Sequence, residues 1–219
     1  MPRTTRTETG KMRTVGDCPE LNSLFKKERV RIAEMAETDS LQGDFLHPVF
    51  AAGNPDAKTV LIGEAPGREE SERGIPFVGK AGRQLDELFG IAGIERSGIY
   101  LTNVVKYRPV VRGPRSVRNR TPSMKEIRMA LPLLERELKL ISPEVIVTLG
   151  KTPLTAVSIL FGIAAGNTLG EVHGRGIRLM HNGSALYLFP LYHPASGIYN
   201  RELISVMAED AGKLGQFLN

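Results

Sequence analysis

Thr59-Val60-Leu61-Ile62-Gly63-Glu64-Ala65-Pro66-Gly67 is the stretch that decides the fold. Four residues, TVLI, make a short apolar run with a β-branched start, and it breaks directly into a loop bounded by glycines. Such a run suits a strand buried on both faces. The same grammar recurs at Ile99–Val105 (IYLTNVV) and at Val145–Leu149 (VIVTL), the latter running into Gly150-Lys151-Thr152. Val172–Met180 and Ala185–Phe189 fit a hairpin around Asn182-Gly183, whose second arm continues into the core as a fourth strand. Helical patterns fall between these strands. Glu20–Glu37 carries apolar residues at helical spacing, and Gln84–Ile91 stops at Gly93. From Thr121-Pro122-Ser123 a helix runs to about Leu140. Either Thr121 caps it with Pro122 at the first helical position, or Ser123 and Glu126 form a capping box. Thr152–Phe161 and Arg201–Phe217 complete the set. Strands alternating with helices predict an α/β fold, a three-layer α/β/α sandwich with a central four-stranded parallel sheet.

The chain has 219 residues, 41% hydrophobic and 24% charged, which is enough for one core and too apolar for a disordered chain. Residues 1–14 lack periodicity and predict a flexible basic tail, leaving 15–219 as a single domain. The lone Cys18 excludes an internal disulfide framework and any site built on several thiolates. No apolar run approaches the ~20 residues that span a bilayer. Met1 to Arg13 has no apolar segment of the secretory kind. A cytoplasmic protein with no membrane partner is the expectation.

Net charge is +5, a mild excess whose distribution says more than its size. Lys106, Arg108, Arg112, Arg115, Arg118 and Arg120 follow one another with no acidic residue among them. That stretch alone carries +6 and is interrupted by Pro109, Gly113 and Pro114. The plain reading is a solvated loop; the sharper one is a flexible basic arm that meets phosphates.

Ligands of open parallel sheets bind beyond the carboxyl ends of the strands. Four polar features fall at such ends here: the loop Gly63–Gly67, Asn103, Gly150-Lys151-Thr152, and His193-Pro194-Ala195-Ser196. A phosphate loop is disfavoured, because Val145 stands where that motif needs its first glycine. No serine sits in a nucleophile elbow. His47, His173, His181 and His193 show no helical ligand spacing, so no metal site is expected.

Together these residues resemble a known family. Gly63-Glu64-Ala65-Pro66-Gly67, Glu70 and Gly74-Ile75-Pro76-Phe77-Val78-Gly79-Lys80-Ala81-Gly82 are similar to the first motif of family 4 uracil-DNA glycosylases. Thr102-Asn103-Val104-Val105-Lys106 resembles the second block, and Asn119-Arg120-Thr121-Pro122 with Glu126-Ile127 the third. Pro143 to Gly150 and His193-Pro194-Ala195 complete the order, over about residues 50–218.

The resemblance implies hydrolysis of the N-glycosidic bond of uracil in DNA by a monofunctional enzyme, leaving an abasic site. It implies DNA as the partner, and a monomer is expected. Phe77 would stack on the everted base, and Asn103 would match uracil O4 and N3–H. Glu70 would exclude a C5 methyl. Gly63 and Ala65 would shape the site, with Asn119 assisting at the base or phosphate. Glu64 would hold the water, and His193 would donate to O2 as charge develops there. Lys106, Arg108, Arg112, Arg115, Arg118, Arg120 and Ser196 would contact DNA.

The family usually carries a 4Fe–4S cluster on four cysteines. Cys18 matches the first position, but Leu21, Tyr107 and Ala130 stand at the others, so the cluster is expected to be absent and no cofactor is implied. In a related branch a histidine traps the sugar covalently; Asn119 aligns with it, so no covalent product is expected. Two alternatives stay open. One is the same chemistry on hypoxanthine or a modified cytosine, and the other a silent DNA-binding member of the fold.

Overall fold

In the computed structural model, which describes residues 13–38, 42–163, 168–181 and 183–218, the apolar runs become adjacent strands. The elements in chain order are α1 (Pro19–Thr38), β1 (Gly43–Asp44), β2 (Ala51–Gly53), β3 (Thr59–Gly63), α2 (Arg68–Arg73), α3 (Lys80–Ala92) and β4 (Tyr100–Asn103). There follow β5 (Arg108–Arg112), β6 (Val117–Asn119), α4 (Met124–Ile141), β7 (Val145–Leu149) and α5 (Lys151–Phe161). Last come α6 (Leu169–Val172), β8 (Ile177–His181), β9 (Ser184–Leu191), α7 (Ser196–Tyr199) and α8 (Glu202–Leu218).

The main sheet has the order β2-β4-β3-β7-β9-β8. Its four middle strands pair in parallel, and β2 and β8 close the two edges antiparallel. The sheet is therefore six-stranded and mixed, not a four-stranded parallel one. The missed edge strand β2 is Ala-Ala-Gly, too short and too small to leave an apolar signature. Consecutive residues of β3 face opposite layers. Val60 and Ile62 join Leu21, Leu134 and Ile146 in one cluster with α1, α4 and α5. Leu61 joins Leu85, Leu101, Phe189 and Leu214 in the other, with α3 and α8. That two-faced burial makes the three layers.

Local signals set the helix ends. Ser123, rather than Thr121, caps α4: its hydroxyl accepts from Glu126 N–H, and Glu126 reaches back to the Ser123 N–H at 2.8 Å. Gly93 ends α3 in the left-handed conformation.

Two expectations change. The basic stretch is not a flexible arm but a hairpin, β5–β6, with Val110 opposite Asn119, and β1 joins it in a second, three-stranded sheet. The expected tail at 1–14 lies outside the described residues up to residue 12. Of its last two residues, Arg13 ties back to the domain through Asp56 at 2.8 Å, and the exposed Thr14 donates to Asp17.

Candidate active site

Beyond the carboxyl ends of β3, β4 and β9 lies a cavity of about 640 Å³. Glu64, Ala65, Glu70, Phe77, Asn103, Asn119, Arg120 and His193 all line it, although the sequence spreads them over 130 positions.

The loop after β3 supplies the floor. Gly63 does not line the cavity, yet a Cβ there would collide with Asn103 Oδ1 and lie 2.6 Å from the Phe77 ring. Only glycine lets those two side chains close over β3. Asn103 is buried at the end of β4. Phe77 is also buried, 6% exposed, and belongs to the cluster of Leu61, Leu85 and Leu149. Pro76-Phe77-Val78-Gly79, set between glycines, reads in the sequence as an exposed loop, but the Phe77 ring packs down onto Gly63 and only part of it meets the cavity.

Phe77 has a φ of 56°, a left-handed conformation that costs a non-glycine residue about 1–3 kcal/mol. Two groups hold it there. Arg96 Nη2 donates to the Phe77 carbonyl at 2.5 Å while Nη1 pairs with Asp86. On the other side, Glu70 accepts from the N–H groups of Val78 at 3.1 Å and Gly79 at 2.7 Å. The second Glu70 oxygen accepts from Gly67 N–H at 3.1 Å. Glu70 is therefore a buried brace between two loops, not a solvated helix-start acid.

Glu64 extends from the same floor. Thr152 Oγ1, in the first turn of α5, donates to its Oε2 at 2.5 Å. Burial pushes the Glu64 carboxyl above its usual value of 4.5, with the hydroxyls of Thr152 and Thr121 opposing. His193 lines the same cavity. Burial lowers its pKa from the usual 6.5, against the charge of Glu70, and so favours the neutral ring. The Ala195 N–H donates to Nδ1 at 3.2 Å, which assigns the remaining proton to Nε2. Gly150, with φ 94°, packs against the His193 backbone and Cβ.

The residues expected to contact DNA separate into groups. Lys106 is a correction: it is 2% exposed and paired with Glu137, because the chain turns inward after β4. Arg108 Nε donates to Asn119 Oδ1 at 2.6 Å, orienting that amide at the rim. Arg120 lines the cavity, but its guanidinium is held by Glu126, by the Gln42 carbonyl and by the Val110 carbonyl. Arg112, Arg115 and Arg118 are exposed on the hairpin, with no ion-pair partner among the described residues. Ser196 lies outside the cavity lining, and its N–H donates to the His193 carbonyl at 2.8 Å.

Thr152, Arg96 and Gly150 are the contributors that sequence reasoning left unassigned. Gly150-Lys151-Thr152 reads in the sequence as one of the polar features at the strand ends and as a failed phosphate loop, but with no role given to Thr152 or Gly150. Arg96 gave no signal, since it acts on carbonyls about 20 positions away.

The positions that the resemblance gives to cluster ligands do not suit iron. Leu21 and Ala130 are buried in apolar contact, and the Tyr107 hydroxyl donates to Glu126 at 2.8 Å. The Tyr107 ring lies 4.5 Å from that of Phe45. Among the described residues, no group of three or more His, Cys, Asp or Glu could hold a metal ion.

A ring, an amide, a carboxylate and an imidazole thus line one cleft past the strand ends of an α/β protein, the place where open sheets of this kind bind ligands. The chain belongs to the uracil DNA glycosylase superfamily, whose family model matches residues 50–211. It is 36% identical over 165 residues to the Type-4 uracil-DNA glycosylase of Sulfurisphaera tokodaii, covering 74% of this chain and 70% of that one. It is 35% identical to the Type-4 uracil-DNA glycosylase of Archaeoglobus fulgidus, over 77% of this chain and 80% of that one. For that of Thermotoga maritima the identity is 36%, over 78% and 82%.

Proposed function

We propose that this protein is a DNA-repair glycosylase that hydrolyses the N-glycosidic bond of uracil in DNA and leaves an abasic site. The observation that carries the reading is the single cavity shared by Phe77, Asn103, Glu64 and His193. The base leaves the stack at a cost of a few kcal/mol and enters that cavity. Phe77 offers its ring to the base face. The Asn103 amide, one donor and one acceptor, pairs with O4 and N3–H, whereas cytosine reverses that edge. Mispairing of buried groups of this kind rejects an analogue by up to ~10⁴-fold. Glu70, fastened by three N–H groups, gives the wall a fixed edge against a C5 methyl.

Bond cleavage leaves a cationic sugar and a uracil anion. The neutral His193 donates from Nε2 to O2, a role worth about 2–4 kcal/mol in the transition state. Glu64, steadied by the Thr152 hydroxyl at Oε2, orients water and faces the cationic sugar. Asn119 and Arg108 attend the rim, and Arg112, Arg115 and Arg118 meet phosphates. The residues at Cys18, Leu21, Tyr107 and Ala130 support an enzyme that works without an iron–sulfur cluster.

The test uses end-labelled single- and double-stranded oligonucleotides carrying uracil, hypoxanthine or a modified cytosine, followed by alkali. Scission at uracil is expected. Binding without scission at any of the bases would replace the proposal with a silent DNA-binding role.

A further inference from the structure

Behind Asn103, on the far side from the cavity, an ion pair is sealed inside the protein. The Lys106 and Glu137 side chains are 1% and 0% exposed, with nitrogen and oxygen 2.5 Å apart. All three protons of the ammonium are committed. One goes to Glu137 Oε2, one to Thr102 Oγ1 at 2.6 Å, and one to the backbone carbonyl of Asn103 at 2.6 Å. Glu137 Oε1 also accepts from the Tyr100 hydroxyl at 2.9 Å and from Thr102 at 3.0 Å. The network is complete, as a buried polar network must be.

Stability does not require such a pair. Taking an ammonium and a carboxylate out of water costs several kcal/mol each, and packed apolar residues of the same volume are often as good or better. The burial is felt by Lys106, whose pKa it lowers while the Glu137 charge opposes. What apolar residues could not do is donate to the Asn103 carbonyl.

We infer that Lys106, anchored by Glu137, is a positioning residue that fixes the Asn103 peptide so that its side-chain amide presents one orientation to the base. The inference rests on the uracil reading of the cavity. Lys106 lies three residues beyond Asn103, and its side chain folds back to close the end of β4. From the opposite direction the same segment is pinned to β3: Val104 N–H donates to the Gly63 carbonyl at 2.9 Å and Val105 N–H to that of Glu64 at 3.1 Å. Gly63, lacking a Cβ, leaves open the space against β3 that the Asn103 amide occupies. The base reader is gripped by main chain on one side and by a buried ammonium on the other. Lys106 is not among the cavity-lining residues, so it acts only through Asn103. A displacement of ~1 Å at such a site can cost ~10²-fold in rate.

The test is the double variant Lys106→Met with Glu137→Gln. It conserves volume, leaves no unpaired charge and keeps an acceptor for Tyr100 and Thr102. Full folding of the variant is checked first by thermal unfolding. The expected result is a KM for uracil-containing DNA within about twofold of wild type, with kcat down about 10- to 100-fold and the preference for uracil over cytosine narrowed about tenfold. A folded double variant with unchanged kcat and unchanged preference would overturn the inference. The side-chain amide NMR signals of Asn103, assigned by loss in Asn103→Asp, separate the two levels. Ordered signals in wild type that broaden or collapse in the double variant support positioning even if wild type removed no uracil. Signals unmoved by the double substitution would defeat it whatever the activity.

Discussion

The Thr152 hydroxyl donates to Oε2 of Glu64 across 2.5 Å, joining the first turn of α5 to the loop after β3. Burial raises the Glu64 carboxyl above 4.5, and this bond resists the rise. Thr152→Val keeps the shape and removes the donor, so the carboxyl should move further up. Activity that needs ionised Glu64 is lost as pH falls through its pKa. The variant should therefore lose more activity on the acid limb than near pH 8, about 3- to 10-fold more, with that limb of the kcat profile displaced upward. Superimposable profiles for the two proteins would show that the bond does not tune Glu64.

Burial favours the neutral His193 ring, with its proton on Nε2. The same burial shifts its titration towards lower pH, so no alkaline loss of activity comes from this ring. The wild-type rate should be flat from about pH 7 to 9. Replacement by alanine should lower kcat about 10²- to 10³-fold, with DNA affinity changed less than about threefold. Equal losses in affinity and kcat would argue against a transition-state role.

Arg112, Arg115 and Arg118 stand exposed along a hairpin whose base, Pro109 and Asn119, forms part of the cavity rim. If each meets one phosphate, each alanine substitution should reduce the slope of log affinity against log salt by about 0.9 on duplex or about 0.7 on single strands. The kcat at saturating DNA should stay near that of wild type. Fluorescence anisotropy titrations over a range of salt check this, and an unaltered slope for all three would move the DNA path elsewhere.

The residues that were legible in the sequence acted locally. Gly93 and the Ser123–Glu126 box set helix ends through bonds three or four positions long, and the period of the β3 and β7 runs revealed two-sided burial. Convergence of Glu64, Asn103 and His193 followed from a topological rule for strand ends rather than from any contact. What stayed hidden depends on distant partners. Lys106 looks like one more cation in a basic run until Glu137, 31 residues on, is brought against it. Phe77 reads as a loop residue because its left-handed backbone is imposed by Arg96 and Glu70, which periodicity does not register. The hairpin was obscured by Pro109, Gly113 and Pro114, which resemble loop punctuation.

The hairpin is also fastened from within, and this yields a pH dependence of stability. Glu126 accepts from Arg120 at 2.6 and 2.9 Å, from Tyr107 at 2.8 Å and from Ser123 N–H at 2.8 Å. Burial alone would raise its carboxyl, but these donors, led by Arg120, bring it down from 4.5 to about 2. A carboxyl depressed in the folded state stabilises the protein fully above its unfolded pKa, and that contribution fades as pH falls towards the folded value. The window here runs from about pH 4.5 down to about 2. Discounted for the solvent that reaches Arg120, the contribution at neutral pH is about 1–2 kcal/mol. Glu126→Gln should thus lower the unfolding midpoint at pH 7, and the gap from wild type should close between pH 4.5 and 2. Chemical or thermal unfolding across that range measures it; a gap independent of pH would mean that the substitution acts through packing or the α4 cap alone.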